Sequence, residues 1–445
     1  MGKNWYSQLP KGAKPALWSL FLGWMMDVYD VYLVAFLGLI IARVYLAPYL
    51  GAGAYVQAVY AAGALTATLV ARAVGAMIFG PVADRRGRKG PLTVSLLGYS
   101  LFTVLTAFTV ELVKPFLYGA SLALGVITLF VAFRIAAGIF LGGEWTVGAP
   151  YASELLPPEV RARATAFMQA GAPLGQLLAA LVPFVLAGLM GNTAFSAFGW
   201  RVTFVLGALP ALLAIYIRRS LPESKVWAEA HGRSNKLKVQ WKRTLHALMI
   251  NVGMFTCVYA VVASYGNYIE ELYGSFTYDV LGFRASASFM LLIVISLVGV
   301  VSTLLFGQLG DRWGRKRGLL LAAIGFIVLS PFVAPFWIEK PGLGYLMLIS
   351  SIYSFFVGST GILPSYVSEL ISDATGRATG ATAYNGNLLL TGWVPSLIPI
   401  LGRVLIRAPI SSQFAIGMTI FSFIGGAVLL TFTAFGPETR GLQLR

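Results

Sequence analysis

Two aspartates, Asp27 and Asp30, stand in the stretch WMMDVYDVYL, inside an otherwise apolar run. A carboxylate at mid-bilayer costs about 2.5–3.5 kcal/mol on insertion scales, so a chain that keeps two of them must neutralise both. Residues i and i+3 share a helical face, which turns the two carboxylates into one sector of a helix. The cations at hand are Arg72 and Arg134, each within another long apolar run, and Glu144 follows ten residues after Arg134. Ten residues are ~15 Å of helix, so Arg134 and Glu144 are not a local pair. These groups have to face a common interior and meet there. The chemistry such a cluster supports is proton binding tied to motion. A carboxylate holds its proton less tightly beside a guanidinium than alone in a dry site. Movement of Arg134 toward and away from Asp30 would therefore make proton affinity track conformation, and two carboxylates on one face couple their titrations.

The elements that must position these groups are legible in the hydropathy. The chain has 445 residues, of which 58% are hydrophobic and 11% charged. A soluble domain carries roughly 25% charged residues, so this is a polytopic membrane protein. Apolar runs long enough to span a ~30 Å core occupy about 16–41, 54–80, 91–112, 117–151, 164–190 and 200–219. A polar stretch, 220–243, follows, and six more runs lie at about 245–270, 284–308, 318–338, 343–368, 378–405 and 412–435. The expected fold is all-α, with twelve transmembrane helices in two six-helix bundles, 1–219 and 244–445, joined by the linker 220–243.

The net charge of +16 does not indicate nucleic acid, because the basic residues sit in short segments between the apolar runs. With the N-terminus inside, the outer loops hold only Arg43, Lys114, Arg201, Arg284, Lys340, Arg403 and Arg407 of the 33 Lys and Arg. That asymmetry predicts both termini in the cytoplasm. The first run is too long for a signal-peptide core and is read as a retained helix. Cys257 is the only cysteine, His231 and His246 flank the linker, and no Gly-Lys-Ser/Thr phosphate loop occurs. No cofactor, no metal and no enzyme activity are expected.

Internal repetition supports the duplicated architecture. GPVADRRGRKG (80–90) returns as GQLGDRWGRKRG (307–318), YASELLPPEVRARAT (151–165) as YVSELISDATGRAT (366–379), and PESK (222–225) as PETR (437–440). Two such halves around a midplane site are a common transporter plan. A tight reversal between helices needs glycine at positive φ, here Gly87 and Gly314. Asp84 and Asp311 can accept hydrogen bonds from a helix N-terminus or an arginine. Polar groups in apolar runs supply further candidates for the interior: Gln169 and Gln176, Tyr265, Asn267, Tyr353, and Tyr384, Asn385 and Asn387 in YNGN. Asn385 and Asn387 lie about 200° apart on a helix and cannot both face a cavity squarely. Gly138, Gly142 and Gly143 suit close helix packing.

With these loops the sequence resembles the major facilitator superfamily over essentially its whole length. The pair in MMDVYD, ARAVGAMIFGPVADRRGRKG, FRIAAGIFLGGEW and GWRVTFVLGALPALLAIYIRRSLPES are similar to proton-coupled organic-anion porters, nearest the sialate and lactate type and then the aromatic-acid and metabolite:proton symporters. Phosphate symporters typically read Gly-Gly-Asp where this chain has Gly142, Gly143 and Glu144, and the paired glutamines of sugar porters are missing from the seventh run. The resemblance implies proton-coupled import of a small organic anion, such as a monocarboxylate, across the cell membrane by a monomer. Phosphate or sugar symport and drug export are the alternatives within transporters. A non-transporting receptor is disfavoured, since only PETRGLQLR follows the last run.

The implied proton-coupling set is Asp27, Asp30, Arg134 and Glu144, with Asp30 on Arg134 as carrier and Asp27 assisting. Substrate contacts are expected from Arg72, Arg134, Gln169, Tyr265, Asn267, Tyr353, Tyr384, Asn385 and Asn387. The implied cytoplasmic gate comprises Gly80, Asp84, Arg85, Gly87, Arg88, Glu154, Asp311, Arg312, Gly314, Arg315, Glu369 and Arg377. Symport suits the electrostatics, because each negative charge moved inward against 100 mV costs ~2.3 kcal/mol and one proton cancels it.

Overall fold

Lipid offers the backbone no hydrogen-bond partners, so outside a closed barrel a crossing segment has to be helical. The computed structural model follows that rule. It describes residues 5–10, 12–50, 54–219, 221–233, 238–262, 264–265, 268–269, 272, 277–280, 283–335, 337–338, 341–405 and 410–444. The first crossings are α1 (Ala13–Leu50), α2 (Ala54–Arg86), α3 (Lys89–Ala107), α4 (Gly119–Glu154), α5 (Arg161–Met190) and α6 (Trp200–Arg219). A short helix α7 (Lys225–Arg233) lies in the linker. Then come α8 (Trp241–Val261), α9 (Ala287–Trp313), α10 (Arg315–Val333) and α11 (Leu343–Leu370). One broken crossing, α12 (Arg377–Gly386) and α13 (Val394–Leu405), precedes α14 (Ile410–Phe435). The described residues thus make twelve membrane-crossing segments. Large apolar side chains such as Leu101, Ile135, Val301 and Phe423 remain exposed, as a lipid-facing surface requires.

Close backbone approach sets the inner packing. A Cβ on Gly75 would run into the carbonyl of Ile139, and one on Gly142 would meet the backbone of Arg72, Gly75 and Ala76. Removing Cβ at these points brings α2 and α4 together without an intervening side-chain layer, the small-residue packing seen in membranes. Two further seams join the first six crossings to the last six, α2 against α12 and α5 against α9. Gly80 admits Ala378 and Thr382 at one seam, and Gly307 admits Ala162 and Ala166 at the other.

Two features depart from the sequence expectation. The run starting at 284 opens as strand, not helix: β1 (Thr277–Val280) and β2 (Phe283–Ser286) pair antiparallel, with Asp279 opposite Arg284. The two paired segments, TYDV and FRAS, carry β-branched and aromatic residues, which favours strand. Second, Arg218, at the end of the 200–219 run, joins Arg72 and Arg134 as a buried cation. The helix α6 runs on to Arg219, and Arg218 faces inward and is fully buried.

Candidate proton and substrate site

The aspartates of α1 are each held by a different arginine. Arg72 of α2 donates from Nη1 and Nη2 to both oxygens of Asp27, at 2.6 and 2.9 Å. Arg134 of α4 donates to both oxygens of Asp30, at 3.0 and 2.5 Å. All four side chains are buried. A two-pronged fork matches a carboxylate in geometry and charge, so each pair is locally neutral. Their surroundings differ. The second pair is closed within the first six crossings, where Thr103 of α3 adds a hydroxyl to Asp30 at 2.8 Å. The first pair reaches across: Arg72 Nε donates to Asn385 Oδ1 of α12 at 2.9 Å. Asn385 in turn donates to the Gly142 carbonyl and to Thr146 of α4.

Glu144 joins neither aspartate–arginine pair. Its Oε1 accepts from Arg218 Nη2 at 2.5 Å, and Arg218 also donates to the Leu92 carbonyl and to Ser19. Among the described residues, three buried arginines, Arg72, Arg134 and Arg218, thus pair with carboxylates of the first six crossings, not only the two that the hydropathy suggested. Arg218 was hidden because it stands in the last turn of α6, next to Arg219 and a charged run, where a window average reads it as loop.

The weaker candidates separate by their hydrogen bonds. Gln169 of α5 accepts from Trp145 Nε1 and donates to the Tyr384 hydroxyl, both at 3.2 Å, while the Trp145 and Tyr384 rings stack at 3.3 Å and 12°. Trp24 joins this group to Arg72: its ring lies 6.1 Å from Tyr384 and 4.9 Å from Arg72 Cζ. Asn387 spends its amide on the Tyr384 carbonyl and on Thr391, within its own segment. Tyr353 bonds the Cys257 carbonyl and Ser422. Tyr265 donates to the Val333 and Leu346 carbonyls. The structure thus places Asn387, Tyr353 and Tyr265 in hydrogen bonds of helix packing, because each phenol or amide finds backbone close by. Asn267 lies outside the described residues. Trp24 and Trp145 were missed; a tryptophan in an apolar run reads as core, and only its neighbours reveal more.

At one face of the molecule the repeated loops form two matching clusters. Asp84 accepts the backbone N–H groups of Ala378 and Thr379, at the N-terminus of α12, and the Arg88 guanidinium. Asp311 accepts the N–H groups of Ala162 and Arg163, at the N-terminus of α5, and is paired with Arg315. Carboxylates are favoured there by the helix dipole and the unpaired amides. Glu154 binds Arg88 and Arg377, and Glu369 binds Arg315 and Arg161. Burial alone would weaken the hold of Arg88 on its proton, but Glu154 and Asp84 raise it above the usual guanidinium range. Gly87 and Gly314 turn at φ +95° and +110°, as their loops require. Glu223 and Glu438, from the repeated Pro-Glu pairs, accept the backbone N–H groups that follow these two glycines, at 88–89 and 315–316.

Two expected gate members are not in these clusters. Arg85 and Arg312 point outward and are exposed. Arg161, Arg163, Glu223 and Glu438 take part instead. The tail of the repeat aligns Arg163 with Arg377 by letters, yet the geometric counterpart of Arg377 is Arg161. Seven residues separate Glu154 from Arg161 and eight separate Glu369 from Arg377, so the two copies differ by one residue before the arginine and the letters mislead.

Residues 31–394 match the Major Facilitator Superfamily. The chain belongs to that superfamily. It is an integral membrane transporter and not an enzyme. Among the relatives it resembles, the sialic acid transporter NanX of Escherichia coli is 25% identical over 425 residues, covering 95% of this chain and 93% of NanX. The niacin transporter NiaP of Acinetobacter baylyi is 27% identical over 469 residues, covering 96% and 94%. The alpha-ketoglutarate permease of E. coli is 26% identical over 354 residues, covering 77% of each. The fold matches that of the proton:xylose symporter XylE with a TM-score of 0.82 at 19% identity, over 97% of this chain and 98% of XylE. Major facilitator architecture accounts for the paired clusters and the seams as products of duplication.

Proposed function

We propose that this protein is a secondary importer that carries a small organic anion together with protons by alternating access. Its halves are 1–219 and 244–445 on the linker 220–243, with both termini in the cytoplasm. The observation that carries the reading is the Arg72 fork, closed by Asp27 from one half and by Asn385 from the other. An arriving substrate carboxylate is the natural competitor for that fork. Once displaced, Asp27 is a buried carboxylate without a counter-ion, a state too costly to persist charged, so it takes a proton. The sum of charges is then the same before and after: one salt bridge, and one neutral acid in place of one carboxylate. Asp30 and Arg134 form a second buried pair, with Asp30 one turn along α1 from Asp27. Asp30 on Arg134 is the second member of this proton-handling set.

The relatives with sialic acid, niacin and alpha-ketoglutarate in their names favour anionic cargo. The clusters around Asp84 and Asp311 serve as the cytoplasmic latch, so that the substrate site faces the opposite side when they are closed. Uptake of radiolabelled small carboxylates into proteoliposomes, with and without an inward proton gradient, tests the proposal. Accumulation driven by the gradient is expected. If no carboxylate accumulates, or if the gradient makes no difference, the reading is wrong.

A further inference from the structure

The second half holds one titratable group that neither the transport site nor the face clusters use. His246 stands in the second turn of α8 and is one of two histidines in the chain. Its Nε2 is buried with no hydrogen-bond partner, and its ring meets Phe432 of α14 at 6.1 Å. Just past α14, a Cβ on Gly436 would lie 2.7 Å from that nitrogen, 2.6 Å from the Tyr366 hydroxyl and 3.2 Å from the Phe432 carbonyl. The imidazole therefore sits against the root of the segment 436–442. In the first half, the residue four places before the Pro-Glu pair is Arg218, salt-bridged to Glu144. In the second half it is Thr433, whose hydroxyl is buried and unpaired, so the fixed ion pair has no counterpart at that position.

The segment 436–442 is a strap. The Tyr366 hydroxyl donates to the Pro437 carbonyl at 3.3 Å, and Glu438 accepts the amides at 315 and 316. Thr439 donates to Glu369 at 2.7 Å, and Arg161, from the first half, donates to the Leu442 carbonyl at 2.9 Å. A strap rooted beside His246 thus reaches the other half within the Glu369 cluster.

A positive charge on this imidazole has nothing to meet it. Glu369 of α11 is taken by Arg315 of α10 and by Arg161, and Arg377 of α12 is taken by Glu154. At the end of α14 the Ala434 carbonyl already accepts Lys316 Nζ at 2.7 Å. On α8 itself Arg243 donates to the Leu370 carbonyl and to Ser372, and Lys242 is exposed. Among the described residues no carboxylate is ion-paired with His246, and its close neighbours are a phenol and a phenyl ring. A cation held dry and unpaired is costly, and water relieves that cost once the strap lifts.

We propose that His246 is a proton site outside the transport pair, where protonation of the imidazole lifts the strap 436–442. The seated strap is favoured while the ring is neutral and is lost as pH falls through the imidazole range. The inference rests on the latch reading only for its consequence, that acid on this face loosens closure.

The test is hydrogen exchange of the purified full-length protein in nanodiscs between about pH 8 and pH 5.5, across the imidazole range, corrected for the chemical exchange rate at each pH. Such exchange reports local opening even where the open form is rare. In the wild type the amides of 436–442 are expected to lose about tenfold in protection on acidification, the factor given by a tenfold difference in proton affinity between the two forms. His246→Gln, neutral throughout, is expected to keep one level of protection at every pH. His231→Gln leaves a single imidazole in the chain, whose NMR titration follows His246 directly. Equal losses in His246→Gln and the wild type, no loss in the wild type, or greater protection in acid would each overturn the inference. So would an imidazole that stays neutral across the range. No substrate is needed, so the result stands apart from the symport reading. Spin labels at Arg85 and Arg312 isolate the latch: if acid frees the strap while the halves stay together, the His246 site stands and the latch reading falls.

Discussion

At the scale of single residues, the two aspartates are close in sequence and separate in circumstance. Asp27 is tied through Arg72 to Asn385 on the opposite half, whereas Asp30, Arg134 and Thr103 all belong to the first six crossings. Asp27→Asn is expected to leave the Arg72 fork open, so that exchange of labelled for unlabelled substrate persists while accumulation driven by a proton gradient is lost. Asp30→Asn also removes gradient-driven uptake, because the coupled pair loses one of its titrating members. Counterflow and gradient assays on both variants decide the matter, and gradient-driven uptake in either one contradicts the coupling. Arg72→Lys replaces a planar fork by a point charge, which costs substrate affinity about tenfold. Direct binding measures that loss. The sequence disclosed the acids and two of their partners because charges in apolar runs are conspicuous. It could not disclose which arginine takes which aspartate, since i and i+3 point the same way and only the approach of α2 and α4 resolves them. Nor could it disclose Arg218, whose burial depends on where α6 happens to end.

At the scale of elements, glycine decides how near the arginines come. Gly75, Gly138 and Gly142 let α2 and α4 touch backbone to backbone, and Arg72 and Arg134 ride on those same helices. Gly142→Ala puts a methyl against the Arg72 carbonyl and the Ala76 amide. Overpacking of this kind costs about 2–3 kcal/mol when the neighbours are backbone and cannot yield. A lowered melting temperature is expected, together with weaker substrate binding, since Arg72 is pushed away from Asp27. Gly63→Ala is the matched control, because a Cβ there meets nothing within 4 Å. If both variants melt alike, close approach of α2 and α4 is not what holds the site. The helices themselves were plain from hydropathy, and so was the use of Gly138 and Gly142 in packing. The hairpin was not, because its eight paired residues border a long apolar run and a span-length window absorbs them.

At the scale of the whole molecule, duplication has left one face with two equivalent clusters and the interior with none of that equivalence. Asp84, Arg88, Glu154 and Arg377 mirror Asp311, Arg315, Glu369 and Arg161, and each cluster draws on both halves. The buried pairs in the interior, by contrast, use acids and arginines of the first six crossings alone among the described residues. One half thus carries the buried charge pairs at the centre, and both halves contribute to the ion pairs at the face. Removing one partner of a buried pair costs about 3–5 kcal/mol, since it strands the other. A shift from 1:99 to 99:1 between two states needs about 5.5 kcal/mol, so loss of a single carboxylate is enough to move much of the population. Glu154→Gln leaves Arg88 and Arg377 without their shared acceptor and is expected to open the face part of the time. Glu154→Gln with Glu369→Gln should open it further than either alone. Spin labels at the exposed positions of Arg85 and Arg312, one on each half and outside both clusters, report the separation across the face. A second, longer distance population should appear in Glu154→Gln and dominate in the double variant. An unchanged distribution in the double variant would mean that packing at the glycine seams, rather than these ion pairs, keeps the face shut.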